Sequence, residues 1–195
     1  TDIFSETPQE LLEILSSKSL VDGKSSNYLL NGFHLWTLDD RSSLNTNISL
    51  GSYDSENKTL QPNTYFEPDN TTVISRDDTS FNADTQINLW SAKLDYETNW
   101  KKVSLSAGFK YAQVKTENSF DFFNVENDDP IFNPSKSNDF NYTENVTAFY
   151  ANLNVKLNEN WTLNTGLRLE KTDSRGLLIS DMDIENNDVS RNYTD

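Results

Sequence analysis

Between Thr147 and Leu157 every second residue is drawn from Thr, Phe, Ala, Leu and Val, while Ala148, Tyr150, Asn152, Asn154 and Lys156 fill the gaps. A period of two places the first set on one face of an extended strand and the second on the other. After Asn158-Glu159-Asn160 the alternation resumes. Trp161, Leu163, Thr165, Leu167 and Leu169 share one face, and Thr162, Asn164, Gly166, Arg168 and Glu170 share the other. Two such runs around a short polar break predict a β-hairpin over 146–172.

The same pattern recurs upstream. In 86–98, Trp90, Ala92, Leu94 and Tyr96 oppose Ser91, Lys93, Asp95 and Glu97. Past the turn at 99–102, Val103, Leu105, Ala107, Phe109 and Tyr111 oppose Ser104, Ser106, Gly108 and Lys110. Residues 44–53 alternate as well, whereas 28–38 are apolar on most positions of both faces, so neither face stands out. The hairpins are thus expected at about 28–53, 86–112 and 146–172. Residues 11–20 read as extended, and 1–10 as a strand end plus loop.

The stretches between hairpins, 54–85, 113–145 and 173–195, are polar and acidic, and Pro62, Pro68, Pro130 and Pro134 fall in them. They read as long loops. Connections then alternate short, long, short, long, and in an up-and-down meander all the short ones lie at one end. Outer-membrane barrels have this asymmetry, with short periplasmic turns and long extracellular loops. Runs of about ten alternating residues also suit a tilted strand crossing the hydrocarbon layer. The expected fold is all-β: an antiparallel up-and-down meander forming part of a large transmembrane β-barrel. Trp36, Trp100 and Trp161 lie near the short turns, where a periplasmic aromatic belt would sit. Both ends read as cuts inside a longer protein.

Composition sharpens this. Only 34% of the 195 residues are hydrophobic, and mean hydropathy is −0.72. No apolar run approaches the roughly 20 residues of a membrane-spanning helix, so a membrane protein here would have to use strands. The net charge of −15 argues against nucleic acid, for no basic stripe meets phosphate. The acidic stretches hold nearly all of that charge, at seven acidic to two basic residues, seven to two, and six to two. With no cysteine and one histidine, His34, disulfide frameworks and Cys- or His-based metal clusters are excluded, and His34 reads as a packing or interface residue.

No constellation points to bond chemistry, so the chain is not expected to be an enzyme. Lys93, Asp95, Glu97, Lys110, Asn152, Asn154, Lys156, Asn164, Arg168 and Glu170 fall on the polar faces and read as lumen-facing. Tyr65, Phe66, Phe120, Phe122 and Phe123 are candidate ligand contacts in the outer loops, since exposed aromatics stack on cargo or pack loops together. No cofactor is expected; the only metal candidate is Ca²⁺ at Asp181, Asp183 and Glu185, which lack the fixed offsets of an EF-hand loop. The competing interpretation is a soluble secreted β-sandwich binding glycans or protein partners through its loops, which would bury its apolar face against a second sheet.

The runs WTLDDRSSLNTNISLGSYDSENKTLQPNTYFEPD, NLWSAKLDYE, LSAGFKYAQVKTENSFDFFN, FNYTENVTAFYANLNVKLNENWTLNTGLRLEKTDSRG and RNYTD together resemble the outer-membrane β-barrel region of TonB-dependent receptor-like proteins of Bacteroidetes-type bacteria. The resemblance covers roughly residues 26–195. It implies a single-chain barrel of about 22 strands with a plugged lumen, in the outer membrane of a Gram-negative bacterium. It also implies uptake of a ligand, here unknown, energised by the TonB complex, which would engage an N-terminal part not in this sequence. The implied partners are outer-membrane lipid and lipopolysaccharide, the remainder of the barrel and its plug, and the TonB complex.

Overall fold

The computed structural model describes residues 2–4, 11–180 and 183–194, with side chains described over 12–180 and 188–194. Regular structure among them is entirely β. In chain order the strands are β1 (Asp2–Phe4), β2 (Leu11–Ser17), β3 (Leu20–Thr37), β4 (Ser42–Gln61), β5 (Asn63–Phe66), β6 (Val73–Arg76), β7 (Asp78–Trp100), β8 (Val103–Glu126), β9 (Asp129–Phe132), β10 (Asn138–Lys156), β11 (Thr162–Ser180) and β12 (Asp183–Thr194). An eight-stranded sheet runs in the order β12-β11-β10-β8-β7-β4-β3, with β9 paired to β8 off that path. All its pairings are antiparallel, and its two edges, β3 and β12, leave it open. A second, four-stranded sheet, β1-β2-β5-β6, continues the β3–β4 ribbon past Pro62, where the Lys18 amide donates to the Pro62 carbonyl at 3.3 Å.

The alternating hairpins are present, and the short turns all lie at one end. Two of these turns are stapled by side chains that mimic backbone. Asp39 Oδ1 accepts from the Arg41 amide at 2.8 Å, and Asn158 Oδ1 accepts from the Asn160 and Trp161 amides at 2.9 Å each. The expected long loops are a correction. Residues 54–61 pair with 79–86, β8 runs on to Glu126, β10 begins at Asn138, and β11 runs to Ser180 opposite β12. What remains of the loops is narrow. At the β8–β9 tip Asn127 and Asp128 take φ of 53° and 69°, the left-handed pair that a tight hairpin needs.

The physical reason is a slip of phase. In β7, Trp90, Ala92, Leu94 and Tyr96 are even, but Phe81, Ala83, Thr85, Ile87 and Leu89 are odd. In β8 the odd set Val103 to Tyr111 gives way to Val114, Thr116, Phe120 and Phe122. Each half alternates, and the change of register between the halves looks like loss of pattern. No bulge accompanies it, since the β7–β8 and β4–β7 ladders are continuous. The two faces of the sheet therefore exchange polarity partway along.

Near the short turns, one face carries rows of apolar side chains linked by register. One row is Trp36, Leu44, Tyr96, Ala107, Ala151 and Leu167; the next is His34, Thr46, Leu94, Phe109, Phe149 and Leu169. Register also settles β3: Tyr28, Leu30, His34 and Trp36 join this face, leaving Leu29, Phe33 and Leu35 on the other. The band runs from the row of Trp100, Val103, Val155 and Leu163 to that of Leu30, Leu50, Trp90, Gln113 and Asn145. About 11 residues at roughly 3.3 Å each, tilted near 45°, give a height of about 25 Å, that of a barrel's lipid-facing band. On β11 the apolar part stops sooner, at Leu169, beyond which Lys171 and Asp173 pair at 2.9 Å.

This face has no protein over it. Leu167 is 82% exposed and Phe149 57%, while the one buried hydrophobic residue among those described is Ala148, at 0%. The four-stranded sheet does not cover it, since beyond ladder neighbours the main contact is β5 against β7. A sandwich would bury these side chains, so the soluble alternative has no core. Hydrocarbon is the neighbour that such a face requires. In the intact barrel protein refolded into phospholipid vesicles, Leu94→Arg should cost about 2–4 kcal/mol by urea titration. Ser91→Arg, on the opposite face, should stay within about 1 kcal/mol; equal costs would show that the face does not meet lipid.

Candidate functional site

The band is bordered by aromatic side chains at both ends. Trp36, Trp100 and Trp161 lie towards the short-turn end, exposed on the apolar face. At the other border Tyr28, Trp90 and Tyr111 form a second belt, which sequence reasoning missed. Trp90 and Tyr111 lie 5.0 Å apart by ring centroids, and Trp90 Nε1 donates to Gln113 Oε1 at 3.3 Å. Above that belt the outward face turns polar. Lys24 pairs with Glu56 at 3.0 Å, Gln86 Nε2 donates to Asp54 at 2.9 Å, and Arg175 pairs with Asp188 at 2.6 Å. The guanidinium holds the Asp188 carboxyl below the usual range by hydrogen bonding, opposed by desolvation and aided by its charge.

Within the band, register places Lys93, Asp95, Glu97, Lys110, Asn152, Asn154, Lys156, Asn164, Arg168 and Glu170 together on the face opposite the apolar one. Their centre is a residue that the alternation did not single out, Tyr150. Its ring covers Gly108, its partner on β8, where any β-carbon would collide with the phenol. Its hydroxyl donates to Asp95 Oδ1. Lys93 Nζ lies 2.8 Å from Asp95 and 5.7 Å from the Tyr150 ring centroid, and the Arg168 guanidinium lies 5.8 Å from that ring on the neighbouring strand. Arg168 in turn pairs with Glu170. Lower down, Asn154 donates to Asn164, and Asn152 Nδ2 donates to Ser106 Oγ at 3.4 Å. The wall within the band is polar and largely self-paired.

Above the second belt this same face turns apolar. Leu29, Leu89 and Val114 form one row, Tyr53, Ile87 and Tyr142 the next, and Phe140 and Leu178 pair above them. Phe120 and Phe122 belong to it and join Phe81, which sequence reasoning also missed: Phe81 to Phe120 is 5.5 Å and Phe120 to Phe122 is 6.5 Å. The Lys136 ammonium sits 4.6 Å from the Phe122 ring, and Ser137 Oγ accepts from the Phe122 amide at 2.9 Å. Phe123 points to the opposite face and packs on Phe132 at 5.6 Å. Tyr65 and Phe66 lie apart, in β5, where they pair with Leu15 and Ile14 of β2. The five candidate aromatics thus divide among separate places.

Among the described residues no group of three or more His, Cys, Asp or Glu could hold a metal ion. The candidate Ca²⁺ ligands fall outside them: Asp181 is not described, nor are the side chains of Asp183 and Glu185. Among the described residues no helix is long and apolar enough to cross a membrane, which says nothing of strands.

A hydrocarbon-deep apolar band between two aromatic belts, on a sheet with a wet opposite face, defines the wall of a transmembrane β-barrel. The chain belongs to the outer membrane protein beta-barrel family, whose model matches residues 36–195. That membership sets the protein in the outer membrane of Gram-negative bacteria. No curated protein matches the chain.

One carboxylate shapes a loop tip beside Tyr65 and Phe66. Asp69 accepts from the Thr72 amide at 2.9 Å, the Thr71 amide at 2.8 Å and the Thr72 hydroxyl at 2.7 Å. Those bonds to the ionised form hold its carboxyl far below the ordinary range. A depressed value stabilises the turn above the ordinary Asp pKa of about 3.9 and loses that contribution as pH falls from there towards the depressed value. Hydrogen exchange at the Thr71 and Thr72 amides, corrected for intrinsic rates, should therefore be equally slow at pH 7 and 5. It should quicken below about pH 4, and in Asp69→Ala, which has no acceptor there, it should be fast at every pH. Insensitivity to both changes would remove Asp69 as the organiser of this tip.

Proposed function

We propose that this chain is part of the wall of a TonB-dependent receptor-type barrel of the Bacteroidetes kind, which takes up a ligand captured at its outer mouth and makes or breaks no bonds. The observation carrying it is the exchange of faces. A passive water-filled porin needs a polar interior throughout, whereas this wall lines its outer mouth with Phe81, Phe120, Phe122, Phe140 and Leu178 and its membrane depth with charge. Aromatic side chains at the mouth give a cargo something to stack on before it meets the polar wall. The open edges of β3 and β12 take further strands of the same barrel, because unpaired backbone is not tolerated in hydrocarbon. The outward polar face above the upper belt lies at the depth of the lipopolysaccharide head groups. The plug and the TonB complex complete the machine through parts of the protein outside this sequence.

Cells with and without the intact protein should be given a defined mixture of oligosaccharides, peptides and iron chelates. The expected result is faster depletion of one class only in cells with the protein, abolished by a protonophore and weakened by Phe120→Ala/Phe122→Ala. Depletion that ignores the protonophore would replace energised uptake with passive permeation.

A further inference from the structure

Charge on the wet face within the band is arranged unlike charge elsewhere in the chain. It comprises Lys93, Lys110, Lys156 and Arg168 against Asp95, Glu97 and Glu170, an excess of one cation in a protein of net charge −15. The row Asn47, Lys93, Lys110, Ala148 and Glu170 adjoins the row Asn45, Asp95, Gly108, Tyr150 and Arg168. Lys93 and Lys110 are thus directly opposite on adjacent strands, a placement that costs free energy when both are charged.

Lys93 is compensated by Asp95, and Arg168 by Glu170. Asp95 and Glu170 are therefore committed, and Asp95 also serves the Tyr150 hydroxyl; Glu97 lies two rows nearer the short turns than Lys110, in the row of Ser43 and Ser106. Lys110 has no hydrogen-bond, ion-pair or ring partner among the described residues, so the repulsion it creates is unanswered on this wall. Water screens this repulsion without pairing the ammonium, and an anion arriving in the lumen would offset it.

We propose that Lys110, the cation left unpaired between the Lys93–Asp95 and Arg168–Glu170 pairs, is a carboxylate-binding point on the lumen wall. One free ammonium matches a singly charged carboxylate, and the only guanidinium nearby, the group suited to a phosphate, is already engaged. The carboxylate comes either from the cargo or from polypeptide lying inside the barrel. This rests on taking the wet face as the lumen of an uptake barrel and names the chemistry that its wall selects.

The test needs a folded barrel but no transport, so its failure is separable from failure of the uptake assay. The intact protein in vesicles is treated with an amine-acetylating reagent, in sodium acetate or in sodium chloride of equal ionic strength, and labelling of each lysine is followed by mass spectrometry. Lys115 is the reference, being on the same strand but on the other face above the upper belt. At an acetate concentration twice the dissociation constant, Lys110 should label about threefold more slowly than in chloride, with Lys115 unchanged. Lys110 protected already in dilute chloride, and released at about 1 M salt, supports the proposal with a polypeptide carboxylate as the source. Labelling of Lys110 at the Lys115 rate in both media would overturn it. Lys110→Gln removes repulsion, so urea stability should hold or rise; a marked loss would show that Lys110 braces the wall and would also overturn the proposal.

Discussion

Everything in this structure follows from the need to satisfy backbone N–H and C=O groups where no water can do it. In hydrocarbon an unpaired amide costs several kcal/mol, so a spanning strand must bond along its whole length to neighbours on both sides. Through the band the ladders from β3 to β11 run without interruption. Register shifts occur only in the small sheet and near the β11–β12 turn, outside the band. The described prolines obey the same limit: Pro62, Pro68, Pro130 and Pro134 all fall beyond the upper belt. Inside the band the backbone is fixed, and only side chains are free to vary.

Above the upper belt the ladder is the same but the solvent is not. Water now lies outside the wall, so the outward face takes Lys24, Glu56, Asp84, Glu117 and Arg175, and the inward face takes the aliphatic and aromatic groups. One continuous sheet thus obeys the lipid rule below the belt and the rule of water-soluble sheets above it. The acidity of the chain is a consequence of this second regime. It is carried by the part of the wall that stands in water.

The hairpins, the direction of the short turns, the lipid face and the lower tryptophan belt were legible because each depends on spacing within a single strand. Lys93, Arg168 and their neighbours were placed on one face by the same spacing. Three things were not legible. The exchange of faces hid β-structure in 54–61, 78–85 and 113–126, because a phase slip with low hydropathy resembles a loop. Tyr150 and Phe81 gain their importance from neighbours on other strands, and pairing partners are set by register, which a single strand does not display. The orientation of β3 needed its partner β4, since Leu29, Phe33 and Leu35 oppose Leu30, His34 and Trp36 with no contrast in polarity.

A stiff wall constrains how such a protein works. Strands of up to 24 residues, bonded to neighbours on both sides, resist sharp local bending, so the proposed capture at Phe120 and the proposed charge pairing at Lys110 would fall on one continuous ladder. Phe120 and Lys110 lie ten positions apart on β8, on the same face and joined by a regular backbone. In the proposed uptake, cargo released from one would advance towards the other through motion of its own or of polypeptide inside the barrel, not through deformation of the wall. Period two then has a functional consequence. In the proposed uptake, each inward position of β8 would offer a passing solute a new surface every two residues, while each outward position is tuned to lipid or water independently. Selectivity can change along the path without any cost to the anchoring of the wall.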